Sequence, residues 1–496
     1  MDNPLLWILI AIQIFMGAFD TLVHHEGTER LAWCPSQRTE LYLHAVRNGF
    51  YAVIFLCLAW FEPHGAFTIA LTVILALEVL ITLWDFVEED LTRRLPASER
   101  INHTLLALNY GAILALAAPY LWTWSALPPA LIPVSYGGWS VMATLAALGV
   151  ALFSLRDLLA AGRSVRLTTG NPAPLVAALA PRQHLLITGG TGFIGQRLVQ
   201  ALVAAGHHVT VLTRNLRTAD RLADPVRRIT SLDQIHAADR FDAVINLAGE
   251  PVANAPWTAR KRARIVKSRV QMTQALGALI QRLDHKPACL INGSAVGWYG
   301  LRGDEILTED APPCPAFVHH VCAEWETATR PIADQGVRVV CLRIGLVLGV
   351  PGGMLARMLT PFEFGAGCQL GDGQQWMPWI ELDDMVRVIA FALSRPDISG
   401  PVNATAPHPV RNAAFTHALA RALNRPALLR RAPGWLITAL ARDMGRETLL
   451  SGQRVVPGIL LDKGFEFTHT ELTPTLAAIT GARVNSSSRS PQEQQV

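Results

Sequence analysis

The sequence predicts two architectures in one chain: an all-α transmembrane bundle of five helices, then an α/β domain on a doubly wound parallel sheet with a small C-terminal lobe. Three observations predict this. Long apolar runs crowd into the first 160 residues and lift the mean hydropathy of the whole chain to +0.28. Beyond residue 184, apolar runs of strand length alternate with helical patterns, as parallel sheets require. Gly189, Gly192 and Gly195 fall three apart between one such run (185–187) and a helical segment at 196–205. The expected divisions are a membrane domain at 1–160, a connector at 161–183, a nucleotide-binding domain at 184–424, a small lobe at 425–482 and a polar tail at 483–496.

Five runs approach the roughly 20 residues a helix needs to cross a bilayer. They are 5–22, 43–61, 67–86, 104–122 and 139–159. The first lacks a charged leading region and a small-residue cleavage site, so it reads as a retained helix and not a signal peptide. Arg30 and Arg38 follow the first span, Arg93, Arg94 and Arg100 the third, and Arg163 and Arg166 the fifth. The loops at 62–66 and 123–138 carry neither Lys nor Arg. The positive-inside rule then places the N-terminus outside a bacterial inner membrane, with the α/β domain in the cytoplasm. Scattered cysteines without a CxxC pair agree with a reduced compartment. A net charge of +4 without a basic-aromatic patch excludes nucleic acid as the expected partner.

Ionisable residues gather near the cytoplasmic ends of the spans. Asp20 and His24, Glu40 and His44, Asp85 and Glu89, and Glu99 and His103 are each four apart, hence on one helix face. Glu78 lies well inside the third span, where a carboxyl is costly and functional by default. Two readings stay open. His24, Glu40, His44, Glu78, Asp85, Glu89, Glu99 and His103 supply a carboxylate-rich metal site in a helical bundle, although that template spaces Glu and His three apart. Otherwise these groups pair with Arg30, Arg47, Arg93 and Arg100 where the helices leave the lipid. Haem or quinone ligation by His24, His25, His44 or His103 is a lesser alternative.

In the α/β domain, Gly189 permits a tight turn, Gly192 lets backbone approach a diphosphate, and Gly195 lets helix pack on strand. With Gly190, Thr191, Phe193 and Ile194 they form a turn that delivers phosphates to a helix N-terminus. The next strand, 208–212, ends in Thr213, Arg214 and Asn215, and no acid occurs between Gly195 and Asp220. An NAD site wants an acid there, whereas an NADP site uses Arg on the 2′-phosphate. NADP(H) is therefore favoured over NAD(H), with Arg214 as the reader and Arg217 nearby. The strand at 242–249 brings Asn246, Leu247, Ala248 and Gly249 to the adenosine half, and Glu250 follows toward the substrate. The strand at 288–295 ends at Ser294; Arg343, on a strand at 338–348, is placed with the cofactor residues.

Taken in order, Ile187-Thr-Gly-Gly-Thr-Gly-Phe-Ile-Gly195, Thr213-Arg-Asn215, Asn246-Leu-Ala-Gly-Glu-Pro251, Gly293-Ser-Ala295, Trp298-Tyr-Gly300, Leu342-Arg-Ile-Gly-Leu-Val-Leu-Gly349 and Trp379-Ile-Glu-Leu-Asp-Asp384 resemble the extended short-chain dehydrogenase/reductase superfamily. The resemblance is closest to its atypical, epimerase-like branch, the YfcH-like proteins, which also carry a small C-terminal domain of unknown function. It covers about 300 residues, a whole domain's length. It implies an NADP-binding Rossmann-type sheet with a substrate lobe, and hydride transfer to or from an alcohol or ketone carbon. In that superfamily a Ser polarises the substrate oxygen, and a Tyr passes the proton, its pKa lowered by a Lys four residues on.

The chain departs from this pattern. Tyr299 is the only tyrosine after Tyr136, and the segment aligned with Tyr-x-x-x-Lys reads Phe317-Val-His-His-Val321. Ser294 is then expected to orient the substrate oxygen, and Tyr299, His319 or His320 to handle the proton, with Glu250 and Lys267 as further candidates. Phe362, Trp376, Met377 and Trp379 suit a bulky, lipid-like small molecule, and Pro351-Gly-Gly353 is read as a loop over the nicotinamide end. Asp383 or Asp384 is expected to cap a helix at 385–393, and a basic lobe with Arg430, Arg431 and Arg442 to rest on anionic lipid. Two functions follow: a membrane-tethered NADP(H)-dependent oxidoreductase or epimerase, or a non-catalytic NADPH-binding sensor or scaffold coupled to the helices. Substrate identity and oligomeric state leave no mark in the sequence.

Overall fold

The computed structural model describes residues 3–93, 95–167, 170–220, 222–429 and 431–482. Arg94, Arg430, the tail at 483–496 and the side chain of Arg217 lie outside the described residues. The chain forms two compact units divided at 168/169.

The first unit holds α1 (Pro4–Phe19), α2 (Arg38–Trp60), α3 (Ala66–Thr92), α4 (Ala97–Ser125) and α5 (Gly138–Ser164). With their flanking turns these give 5 helices long and apolar enough to cross a membrane, by length and composition. Leu80, Leu83 and Trp84 on α3 and Leu145, Leu148 and Leu152 on α5 face outward. Several helices overrun the apolar runs, and the added turns carry Glu40, Glu89 and Glu99, all buried between helices. After α1 the chain continues as a π-helical stretch, Asp20–Glu29, whose wider turn buries the adjacent His24 and His25 together. The two loops without basic residues are not plain connectors. They contain β1 (Phe61–His64) and β2 (Ala130–Pro133), which pair antiparallel and so satisfy their backbone groups.

The second unit is built on β3 (His184–Thr188), α6 (Phe193–Ala204), β4 (His208–Leu212), β5 (Val226–Ile229), β6 (Ala243–Asn246), α7 (Ala259–Arg282), β7 (Cys289–Ala295), α8 (Phe317–Thr327), β8 (Arg338–Ile344), α9 (Leu382–Ser394) and β9 (Gly400–Ala404). The 7-stranded sheet runs β9-β8-β7-β6-β3-β4-β5, every neighbour pair parallel. Alternate residues of β3 feed opposite cores: Leu185 and Ile187 meet Val199, Met385 and Ile389, whereas Leu186 meets Val244, Leu276 and Leu290. Burial on both faces is why these strands read as continuous apolar runs. Strand order reverses between β3 and β6, which opens a crevice at their C-terminal ends.

Three expectations are corrected. The segment 161–183 is not a free connector, because a turn at Ala173–Val176 buries Val176 and Leu179 in the core beneath α6. The strand at 338–348 is broken at Gly345, where a Cβ would lie 2.6 Å from the Pro378 carbonyl oxygen. Leu346–Leu348 then pairs with Trp379–Glu381 instead of with the main sheet. Helix α9 is capped by Glu381, which accepts from the Asp383 and Asp384 amides at 2.6 and 3.1 Å. Asp383 is held by Arg197 at 2.6 Å and Asp384 by Arg387 at 2.7 Å, which leaves neither as the cap.

Candidate functional site

The glycine turn sits at the reversal point of the sheet. Gly189 has φ +73°, and a Cβ there would lie 2.6 Å from the Leu247 carbonyl carbon on the exit of β6. A Cβ on Gly195 would collide with the Gly189 oxygen, so strand and helix approach too closely for any side chain. Gly190 is buried against Val211, while Thr191 and Ile194 are half-buried and Gly192 is exposed, its N–H donating to the Gly189 oxygen at 2.9 Å. Phe193 opens α6, and its ring packs under Gly349, Gly352 and Gly353; the loop expected over the nicotinamide is seated on this ring. Arg214 is exposed at the tip of β4, and Thr213 is buried, its hydroxyl accepting the Asn215 amide at 3.2 Å.

Asn246 is not turned toward a ligand. It is fully buried, accepts from Thr188 Oγ1 at 2.6 Å, and donates to Asn292 Oδ1 at 2.7 Å and Thr273 Oγ1 at 3.1 Å. Its amide therefore ties three strands and α7 together. Leu247 and Ala248, half-buried, and Gly249, exposed, remain on the exit of β6.

At the ends of β7 and β8 lies a cavity of about 390 Å³, lined by Ser294, Phe317, Val321, Trp325, Met377 and Leu449 among others. Ser294 donates to Glu326 Oε1 at 2.6 Å. Arg343 grips both oxygens of Glu326 at 3.1 Å and donates to the Tyr299 hydroxyl at 3.1 Å. Tyr299 donates in turn to Asn403 Oδ1 at 2.7 Å. Two assignments change here. Tyr299 is fully buried outside the cavity wall, and burial pushes its phenol above its ordinary value, so it is a core group and not the proton donor. Arg343, 2% exposed, serves the ion pair with Glu326 and not a cofactor.

The histidines change too. His319 faces the Trp298 carbonyl oxygen through Nδ1 at 2.6 Å, His320 is exposed, and neither lines the cavity. Glu250 is paired with Lys261 at 2.7 Å and Lys267 is exposed. Phe317 and Val321, aligned with the missing Tyr and Lys, do line the cavity beside Ser294. Trp376 and Met377 also line it, whereas Trp379 and Phe362 are core residues outside its wall.

Sequence reasoning gave no site role to Arg269, Cys322, Trp325 or the wall from Glu447 to Gln453, which line the cavity, nor to Glu326, which accepts from Ser294. The stripe Phe317, Val321, Trp325 was legible at helical spacing, and Glu326 stands next to it. Burial pushes the Cys322 thiol up to about 11, so it is neutral there. Glu447 reaches in from the C-terminal region and accepts the Val318 amide at 3.1 Å, satisfying the first turn of α8.

In the first unit, the proposed metal ligands separate into two groups. Ligand atoms of Asp20, His25, Glu99 and His103 lie within 4.8 Å of one another, as do those of His25, His44 and Glu89. The other four are committed elsewhere among the described residues: Glu40 to Arg93 at 2.9 Å, Asp85 to Arg47 at 2.6 Å, Glu78 to Thr82 at 2.8 Å, and His24 to Asp20 at 2.8 Å. Asp20 entered the sequence reading only as the partner of His24, and His25 only as a haem or quinone ligand; the π-helical stretch brings both to the cluster.

A seven-stranded parallel sheet with a glycine turn at its reversal point defines a dinucleotide-binding protein of the NAD(P) class. Residues 185–404 match the NAD dependent epimerase/dehydratase family, and 432–479 match a domain of unknown function, DUF1731. The epimerase family protein Mb2239 of Mycobacterium bovis is 41% identical over 296 residues, 59% of this chain and 96% of that protein. The epimerase family protein YfhF of Bacillus subtilis is 36% identical over 310 residues, 60% of this chain and 99% of that protein. The crystal structure of the human epimerase family protein SDR39U1 with NADPH is 32% identical with a TM-score of 0.53, covering 60% of this chain and 99% of that one. UDP-glucose 4-epimerase of Thermotoga maritima, at 19% identity and a TM-score of 0.51 over 60% of this chain and 97% of that one, shares the fold. The chain belongs to the epimerase family.

Proposed function

We propose that this chain is a membrane-tethered NADP(H)-dependent oxidoreductase acting on an alcohol or ketone carbon of an apolar, lipid-like molecule. The observation that carries the reading is the apolar cavity at the strand ends, with Ser294 as its strand-end hydroxyl, in a unit whose glycine turn has the dinucleotide geometry. NADP(H), when bound, supplies or accepts the hydride. Reduction also takes up one proton at the substrate oxygen and oxidation releases one; that proton exchanges with solvent water through the Ser294 hydroxyl, and the chain supplies the binding and orientation. Amides of 189–195 and the N-terminus of α6 receive the diphosphate. Arg214, exposed where no acid competes, claims the 2′-phosphate. Ser294, whose proton goes to Glu326, accepts from the hydroxyl of an alcohol substrate and turns to donate to a ketone oxygen only on leaving Glu326, and Phe317, Val321 and Trp325 supply the apolar wall. The NADPH bound to human SDR39U1 supports the cofactor choice. The five long apolar helices support a bilayer anchor, and the loop charges support an N-terminus outside with the second unit in the cytoplasm.

Fluorescence titration of the full chain in detergent tests the cofactor half. Arg214→Ala is expected to weaken NADPH about 10-fold or more while leaving NADH unchanged, the loss of one charge-assisted phosphate contact. No uptake of either nucleotide by the wild type sinks the reading. The chemical half predicts NADPH oxidation with long-chain ketones or aldehydes, lost in Ser294→Ala. A second reading has its own support, because Phe317 and Val321 put no phenol or ammonium in the cavity. In that reading the chain holds NADPH without turning it over, and tight binding with no oxidation by any carbonyl favours it.

A further inference from the structure

We propose that the first unit binds one first-row transition-metal dication, of the iron, manganese or zinc class, through Asp20, His25, Glu99 and His103. The mixed imidazole and carboxylate donors select these metals over calcium or magnesium. The spacing fits. Asp20 Oδ2 lies 3.2 Å from His25 Nε2 and 3.0 Å from His103 Nε2, and Glu99 Oε1 lies 3.7 Å from His25 Nε2. Donors about 2.1 Å from a tetrahedral metal stand about 3.4 Å apart.

Two of the donor atoms, Asp20 Oδ2 and His103 Nε2, are hydrogen-bonded to each other at 3.0 Å, a contact that a metal between them replaces. His25 is 6% exposed, and its Nε2 makes no hydrogen bond despite facing two carboxylates. On Asp20, Oδ1 is occupied by His24 Nδ1 at 2.8 Å and Asn102 Nδ2 at 3.1 Å, which turns Oδ2 to the cluster. His103 presents Nε2 to the same point, while its Nδ1 faces Glu89 Oε2 at 3.3 Å. A carboxylate behind the second ring nitrogen is the arrangement that orients metal-bound histidines. Arg93 donates to both oxygens of Glu99, at 2.7 and 3.0 Å, and leaves a lone pair on each.

Charge supports the same conclusion. Asp20, Glu40, Asp85, Glu89 and Glu99 are all buried; among the described residues Asp85 faces Arg47, Glu40, Glu89 and Glu99 face Arg93, and Asp20 faces His24, His25, His103 and Asn102. His25 and His44 stack at 4.6 Å with their planes 7° apart, which fixes the His25 ring. A dication at the carboxylates supplies the opposite charge. The π-helical stretch that brings His25 into place is a conformation retained mostly at functional sites.

The test uses the full chain in detergent. Elemental analysis is expected to find about one equivalent of iron, manganese or zinc per chain. After stripping with a chelator, titration with Co²⁺ should give visible d–d bands that saturate near one equivalent. His25→Ala and His103→Ala should weaken cobalt binding at least 10-fold. His64→Ala, at the opposite end of α2, should leave it unchanged. A wild type that retains no such metal and gives no cobalt bands overturns the proposal, and this needs no folded variant. Bands that persist in both histidine variants overturn it equally. NADPH titration of each variant reports whether the second unit is still folded.

Discussion

The two units bury charge in opposite ways. In the sheet unit, the buried cations come paired: Arg343 with Glu326, Lys261 with Glu250, Arg197 with Asp383. The buried acids Glu309, Glu381 and Glu447 accept backbone amides, so each has a fixed structural partner. In the helical unit, the carboxylates of Glu40, Asp85, Glu89 and Glu99 crowd around Arg47 and Arg93, and Asp20 sits among His24, His25 and His103. Burying a carboxylate costs several kcal/mol unless it is paired, and this crowding of acids among the described residues is what the proposed metal site would offset.

This contrast predicts unequal responses to substitution. The largest effect is expected at Arg93, which holds Glu40 and Glu99 together. Arg93→Gln takes the guanidinium from three buried carboxylates, Glu40, Glu89 and Glu99, and should cost about 5 kcal/mol, whereas Glu40→Gln should cost far less. Thermal melting of the full chain in detergent reads both, and equal losses would erase the proposed imbalance. Next comes Glu326→Ala, which leaves the Arg343 guanidinium buried without its carboxylate; about 3–4 kcal/mol is expected, by the same measurement. A loss under about 1 kcal/mol would mean that the pair is not closed.

The smallest effect is conditional on pH. Burial, with Asp383 beside it, pushes the Glu381 carboxyl up to about 7 from an ordinary 4.5. Between these values the unfolded chain has released its proton while the folded chain keeps it. The Glu381 contribution to stability therefore falls as pH rises through that window and is level above it. Across the window, wild type should lose about 2–3 kcal/mol relative to Glu381→Gln. Parallel melting curves for the two proteins from pH 4.5 to 7 would contradict the shift.

What the sequence revealed follows the same division. Strands buried on both faces announce themselves as unbroken apolar runs, and the turn at Gly189 and Gly195 is written in residues that nothing else replaces. The sheet order and the cofactor turn were therefore readable. Side-chain destinations were not. Tyr299 follows a strand end closely enough to reach the cavity, and only its distant partners Arg343 and Asn403 draw it into the core. Adjacent His24 and His25 cannot share a face at 3.6 residues per turn, so nothing local pointed to the π-helical widening. The wall from Glu447 to Gln453 carries no periodic signal, because its role is set by where the chain returns.

That returning segment has a consequence for biosynthesis. The glycine turn is complete once β6 has been made, but one wall of the cavity, and the carboxylate that satisfies α8, come from Glu447 to Gln453. On the ribosome the nascent protein can therefore form its nucleotide cradle long before residue 453 is added, and it has no closed substrate chamber until then.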